Sequence, residues 1–384
     1  MGVTFEGALN FTKLSVYLAR TWPPPRIATK WELTKYNILW WIFFLSALSL
    51  FFPLVFSISK YRSNTLIVTQ SVCFLGAGSN LLFKMIVYRI HIERTQTLID
   101  EMEDFIKTAK PHEKMVLQRY VDRCSTFHIV VSIVNYLTGV MVAAAPFLDP
   151  DRPFPTSAVY PMAVDSGVAL YLVYAHQSLA GLQCSSGVSI DCQTALMMWF
   201  ASARLEILAD EFKHVNDIEG LKSFVIKYRR TLSYTVDVAD TMSYIALASS
   251  TACGVAAIMS SLQLLGVSET KKKRWSRKLK FSYPTINLFI CAWPADNLLS
   301  VVSNNAVKVK KNTHDLILEV LVIVRFPGER HLQLRVDGHV ARHDEERSHG
   351  SAKVSATDHR FRRGISSCSV VEDIRVGMDK ENKK

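Results

Sequence analysis

The chain has 384 residues, of which 49% are hydrophobic and 21% charged, and its net charge is +11. Mean hydropathy is nevertheless positive, because the apolar residues gather in blocks instead of spreading thinly as they do in a soluble domain. That clustering predicts a polytopic membrane protein. The positive charge then needs no nucleic-acid partner, since basic residues collect in the loops on one side of a membrane protein; DNA binding is the weak alternative.

The cysteines stand at 73, 124, 184, 192, 253, 291 and 368. Their spacings contain no CxxC pair, so neither a zinc site nor a disulfide framework is expected. Buried free thiols are the plainer reading. No signal peptide is expected at the N-terminus, because the first strongly apolar run begins near Tyr36 and is too long for an h-region.

Residues 1–35 read as a polar cytoplasmic segment. Trp22 is expected as an interfacial anchor, and Pro23, Pro24 and Pro25 make a stiff spacer. The first span is placed at 36–58, with Pro53 kinking it near one end. The second, 66–88, carries Gly76 and Gly78 for close helix packing, and Lys84 is expected to snorkel to the interface.

A basic connector follows at 89–126. Leu98, Met102, Phe105 and Ile106 recur at helical spacing and predict an amphipathic helix, with the nearby carboxylates on its solvated face. The third span is 127–147, followed by a Pro/Asp-rich loop over 148–159. An apolar region runs from 160 to about 201, roughly 60 Å as one helix, so it must tilt, break or project beyond the bilayer. Its membrane-spanning part is placed at 160–190. Asp165 and His176 lie in it, and ionisable groups at membrane depth tend to face a cavity or a partner helix. After a second basic connector comes the fifth span, 236–265, with a packed face predicted at Ser250, Gly254 and Ala257. The 36–265 region is thus read as an all-α transmembrane bundle.

Lys and Arg number 5 in the N-terminal segment, 7 in the 89–126 connector and 6 in the 204–230 connector, against 2 and 1 in the alternate loops. This bias predicts a cytoplasmic N-terminus, which leaves the sequon at Asn10 unglycosylated. The pattern then breaks: 266–282 should lie outside, yet it holds 7 basic residues.

The next stretch carries a resemblance. Residues 287–299 read Asn-Leu-Phe-Ile-Cys-Ala-Trp-Pro-Ala-Asp-Asn-Leu-Leu. With Trp22-Pro23 and the acidic run 98–105, they resemble the insect odorant receptor family. The family motif is carried by Trp293, Pro294, Ala295, Asp296 and Asn297. The resemblance implies a seven-helix bundle with about five spans intact here, and no enzymatic activity and no cofactor.

It further implies a multi-pass protein of the plasma membrane of olfactory sensory neurons, among membrane lipid. The partners implied are a small volatile odorant and a co-receptor subunit, with which the receptor forms a ligand-gated cation channel. An odorant pocket needs apolar and aromatic walls with a few polar groups. The candidates are Phe74, Tyr136, Met141, Tyr160, Met162, Asp165, Tyr171 and Tyr174.

The chain also departs from the family. A basic segment replaces most of the sixth helix, so 266–300 reads as a disrupted sixth-helix region. Residues 301–384 do not follow the pattern of the pore-lining seventh helix. That tail holds 6 of the 11 histidines in no standard zinc spacing and is expected to be disordered. Intron-derived or frame-shifted sequence would account for both departures. The alternative functions are a G-protein-coupled chemoreceptor and a membrane transporter. Against the first, Cys291-Ala292-Trp293-Pro294 only superficially resembles a Cys-Trp-x-Pro motif. Against the second, Asp165 and His176 lack a third partner for a proton relay.

Overall fold

Capping chemistry sets where the first membrane helix begins. Thr29 and Glu32 form a reciprocal box, Thr29 N–H donating to Glu32 at 2.7 Å and Glu32 N–H to Thr29 Oγ1 at 3.3 Å. In the computed structural model the helix therefore opens at Lys30, ahead of the apolar run. The structure describes residues 3–148, 154–161, 164, 167–215, 217–265 and 286–304. All of them lie in the first of the two units into which the chain divides, Met1–Val309. The basic segment 266–282 and nearly all of the tail lie outside the described residues.

Among the described residues the regular structure is entirely helical. A short helix α1 (Phe5–Ser15) precedes α2 (Lys30–Ser49) and α3 (Phe51–Lys60). The break between α2 and α3 lies just ahead of Pro53, which cannot donate to the carbonyl of Ser49. There follow α4 (Thr65–Ile90), α5 (Ile92–Thr108), α6 (Pro111–Leu148), α7 (Val168–Phe212) and α8 (Ile218–Leu265). A last helix, α9, spans Ile286–Asn304.

Among the described residues, five helical segments are long and apolar enough to cross a membrane: Lys30–Lys60, Ile67–Ile90, Pro111–Phe147, Glu219–Ile258 and Ile286–Asn304. The number agrees with expectation but the set does not. The helix carrying the Trp-Pro-Ala-Asp element is in it, whereas the expected fourth span, on α7, is not. α7 is 45 residues long, about 68 Å at 1.5 Å per residue, and its first turns expose Val168, Tyr171 and Leu172 while most of its second half is buried. From Ser185 to Leu205 every residue of α7 is buried. A helix wrapped by protein faces no lipid and need not be apolar, so Gln177, Gln183, Ser186, Asp191, Gln193 and Thr194 are all fully buried on it.

Several local expectations are corrected. Lys84 does not snorkel: its side chain is fully buried and paired with Asp191 at 2.8 Å. Trp22 is half-buried and packs against the main core. The face of α5 expected from Leu98, Met102, Phe105 and Ile106 does turn inward, but its carboxylates are not merely solvated. Glu101 pairs with the buried Arg204 at 2.7 Å, and Asp100 pairs with Arg26 at 2.7 Å. Arg204 lies over the rings of Tyr234, Phe105 and Phe200, at 4.9, 5.2 and 5.8 Å from their centroids.

The predicted packed face on α8 is open among the described residues. Ser250 is exposed, and a Cβ on Gly254 would meet nothing within 4 Å. Close approach occurs elsewhere. A Cβ on Gly139 would lie 2.5 Å from Ser185 Oγ and 3.4 Å from the Gly181 carbonyl, so α6 and α7 touch there at backbone distance. Gly139→Val should therefore destabilise the bundle by about 1–3 kcal/mol through overpacking, read as a lowered Tm in detergent. Gly254→Ala should leave Tm unchanged or slightly raised.

Candidate functional site

The segment 154–161 folds back onto the helix ends. Ser57 Oγ donates to the Ser157 carbonyl at 2.6 Å, and Val159 N–H donates to the Pro53 carbonyl at 3.1 Å. Gln177 of α7 holds the same segment from below. Its Oε1 accepts from Thr156 N–H at 3.0 Å and Thr156 Oγ1 at 2.8 Å, and its Nε2 donates to Tyr160 at 3.3 Å. A polar segment is thus tied to buried partners on several sides and caps the space between α3, α4 and α7. Burial pushes the Tyr160 phenol up from its ordinary pKa, and the bond from Gln177 opposes that shift.

Beneath this cap is a narrow cleft. Its walls include Leu50, Leu54, Phe74, Gly78 and Ala180, with Thr156 as a polar group at its mouth. Its free space is about 10 Å³, room for about one water. The Phe51 ring lies so close to Gly78 that an added Cβ would be 2.9 Å away. A guest larger than water enters only if Phe51 and Phe74 swing aside or the helices part.

The predicted ligand-binding residues scatter around this cleft. Phe74 lines it, and Tyr160 packs with Phe74 against the same apolar cluster of Leu50, Leu54, Ala158 and Ala180. Tyr136 instead donates to the Ser15 carbonyl at the end of α1. Tyr174 donates to the Ala143 carbonyl at 2.9 Å and packs on Phe147. Met141 and Tyr171 are exposed side chains on the bundle surface. Met162 and Asp165 lie outside the described residues. Sequence reasoning passed over Gln177 and Thr156; the glutamines on a long apolar helix were the signal available.

About 16 Å along α7 from Ala180 is a polar knot. Lys84 Nζ reaches both Asp191 oxygens at 2.8 Å and donates to the Gly187 carbonyl at 3.1 Å. Ser249 Oγ of α8 donates to Asp191 Oδ1 at 2.6 Å. The buried Cys291 thiol of α9 lies beside Asp191. Tyr88 shares a hydrogen bond with Thr194 at 3.1 Å beside it.

The Trp-Pro-Ala-Asp element continues from this knot along α9. Trp293 stacks on Phe289 at 5.2 Å and meets the buried Trp199 edge-on at 5.0 Å. Pro294 is buried, Ala295 and Asp296 are exposed, and Asn297 is half-buried beside Tyr120.

One group among the described residues has metal-ligand spacing: His112, Glu113 and Glu211. Both carboxylates are already engaged, Glu113 by the Lys110 amide at 2.6 Å and Glu211 by Lys227 at 2.9 Å. His176, the remaining member of the candidate relay, bonds Ser49 Oγ at 2.8 Å and the Ser46 carbonyl at 2.9 Å.

These features define an all-helical, multi-pass membrane protein whose central helix carries buried polar side chains. The family model described as 7tm Odorant receptor matches residues 64–300, more than half of the chain, and the chain belongs to that family. Its fold is similar to that of the insect olfactory receptor OR5 from Machilis hrabei. The TM-score is 0.59 at 13% identity, over 83% of this chain and 89% of that one. No curated protein matches the chain.

Gln177→Leu should release the capping segment. Losing its bonds to Thr156 removes about 1–3 kcal/mol of local protection. Hydrogen exchange at the Thr156 and Val159 amides should accelerate about ten- to a hundredfold, while amides of α7 beyond Asp191 keep their rates.

Proposed function

We propose that this chain is an odorant receptor subunit that binds small apolar volatiles in the cleft under residues 154–161 and gates a cation channel together with a co-receptor subunit. The observation that carries this reading is the cleft itself. Its wall is apolar and aromatic, one polar group stands at its mouth, and its cap is tied down by Gln177. Such a site suits a ligand with a hydrocarbon body and at most one hydrogen-bonding group. We place the protein in the plasma membrane of olfactory sensory neurons, with the N-terminus cytoplasmic as the distribution of Lys and Arg implies. Beyond residue 300 the sequence departs from the family's seventh helix, so in this reading conduction depends on the co-receptor.

The test is expression with and without an insect co-receptor, with a panel of 1-hexanol, 1-octanol and hexyl acetate applied under voltage clamp. Ligand-evoked cation current is expected only in the co-expressing cells. Binding to the purified chain, measured by thermal stabilisation, is expected with or without the co-receptor. Ala180→Phe fills the cleft and should abolish both signals. Phe74→Ala enlarges the cleft and should shift the half-maximal concentration by about tenfold, in a direction that depends on ligand size. Binding that survives Ala180→Phe would place the ligand elsewhere, and absence of binding by all three probes would sink the reading.

A further inference from the structure

The helices that wall the cleft meet again at the buried ion pair. α4 contributes Phe74 and Gly78 to the cleft and then Lys84 to the pair; α7 contributes Ala180 to the cleft and then Gly187 and Asp191. Lys84 and Asp191 are both fully buried, so neither charge has water to turn to if the other moves away. Asp191 is held at the same time by Ser249 of α8 at 2.6 Å, and the buried Cys291 of α9 lies beside it.

Cys291 stands two residues before Trp293, whose ring is packed against Trp199 and Phe289. The cleft has room for about one water, so an organic guest must displace its walls. Close-packed interiors transmit such a displacement instead of absorbing it.

We infer that Lys84, Asp191, Ser249 and Cys291 are positioning residues that carry displacement of α4 and α7 by a bound volatile to α9 and its Trp-Pro-Ala-Asp element. The pair moves as a unit because separating it strands two charges in the protein interior. A displacement of α7 in the cleft is therefore followed by Ser249, which is bonded to Asp191, and by Cys291, which is buried beside it. None of these side chains touches the ligand. The inference rests on the cleft being the ligand site.

The test uses the full chain labelled with 5-fluorotryptophan in lipid nanodiscs, with the Trp293 fluorine resonance assigned through Trp293→Phe. The probes are 1-hexanol, 1-octanol and hexyl acetate. In the wild type, a probe that binds should shift the Trp293 resonance, and Ala180→Phe should abolish both binding and shift. Lys84→Met/Asp191→Leu removes both charges together and replaces them with apolar groups, a change that folded proteins often tolerate. It should keep probe affinity within about threefold of wild type and lose the shift. If that variant does not fold, Cys291→Ala carries the test, since it cuts only the contact from α9. Here too affinity should be kept and the shift lost. A full shift with normal affinity in whichever of these variants folds overturns the inference and leaves the cleft reading standing. Failure of every probe to bind the wild type, or binding that survives Ala180→Phe, overturns the cleft reading and the inference with it.

Discussion

The bundle depends on one ion pair that has no access to water. Lys84 and Asp191 are each fully buried, and the cost of desolvating two charges is large enough that the pair holds only with near-ideal geometry and further hydrogen bonds. Both conditions are met. Lys84 reaches each Asp191 oxygen and the Gly187 carbonyl, and Ser249 donates to the carboxylate. Breaking such a pair by removing one partner costs about 3–5 kcal/mol, a large fraction of what holds an ordinary domain together. The pair therefore specifies the register of α4 against α7, and with Ser249 that of α8. An apolar contact at the same place would tolerate sliding; a buried charge pair does not.

A second charged cluster pins the other end of the bundle by different physics. Arg204 is buried among Tyr234, Phe105 and Phe200 while its guanidinium pairs with Glu101. A guanidinium is planar and weakly hydrated, so it can stack on rings and bond a carboxylate at once. Glu101 also approaches Arg230 at 3.4 Å. The connector helix α5 is thereby fastened to α7 and α8, although its sequence is polar overall. α7 is held near its middle by Asp191 and, thirteen residues on in the sequence, by Arg204. It serves as the common post of the fold.

Much of this was legible in the sequence, and what was missed has one physical origin. Hydropathy reports apolar runs, so those on α2 to α4, α6 and α8 could be picked out, although α6 and α8 begin 16 and 18 residues before the expected spans. The inward face of α5 could be read from helical periodicity. The motif around Trp293 identified the family. Pairings between distant segments were not legible, because a lysine 107 residues from its aspartate leaves no local trace. Lys84 read alone is a snorkelling lysine, and only the tertiary partner makes it a buried one. The same blindness applied to ligand-site candidates. Aromatic residues on membrane helices could be listed, but the helical face each occupies could not be resolved. Phe74 and Tyr160 came together at the cleft, whereas Tyr136 and Tyr174 turned to backbone carbonyls of neighbouring helices.

The element on α9 shows how inward and outward demands are reconciled in a few residues. Cys291, Pro294 and Leu298 are buried and recur at spacings of three and four, so they form one face of the helix. Trp293 flanks that face, and its stacking on Phe289 and Trp199 aligns α9 along α7. Ala292, Ala295 and Asp296 point away and are exposed. Pro294 lies inside the helix, where it removes the amide that would bond the Ile290 carbonyl. A helix broken in that way keeps its course only if its neighbours hold it on both sides of the break. The Asn287 amide donating to Cys253 of α8 at 3.3 Å before the break, and Leu298 in the main core after it, supply those holds. The motif is therefore conformational in character: it seats a weakened helix against the most strongly anchored helix of the bundle.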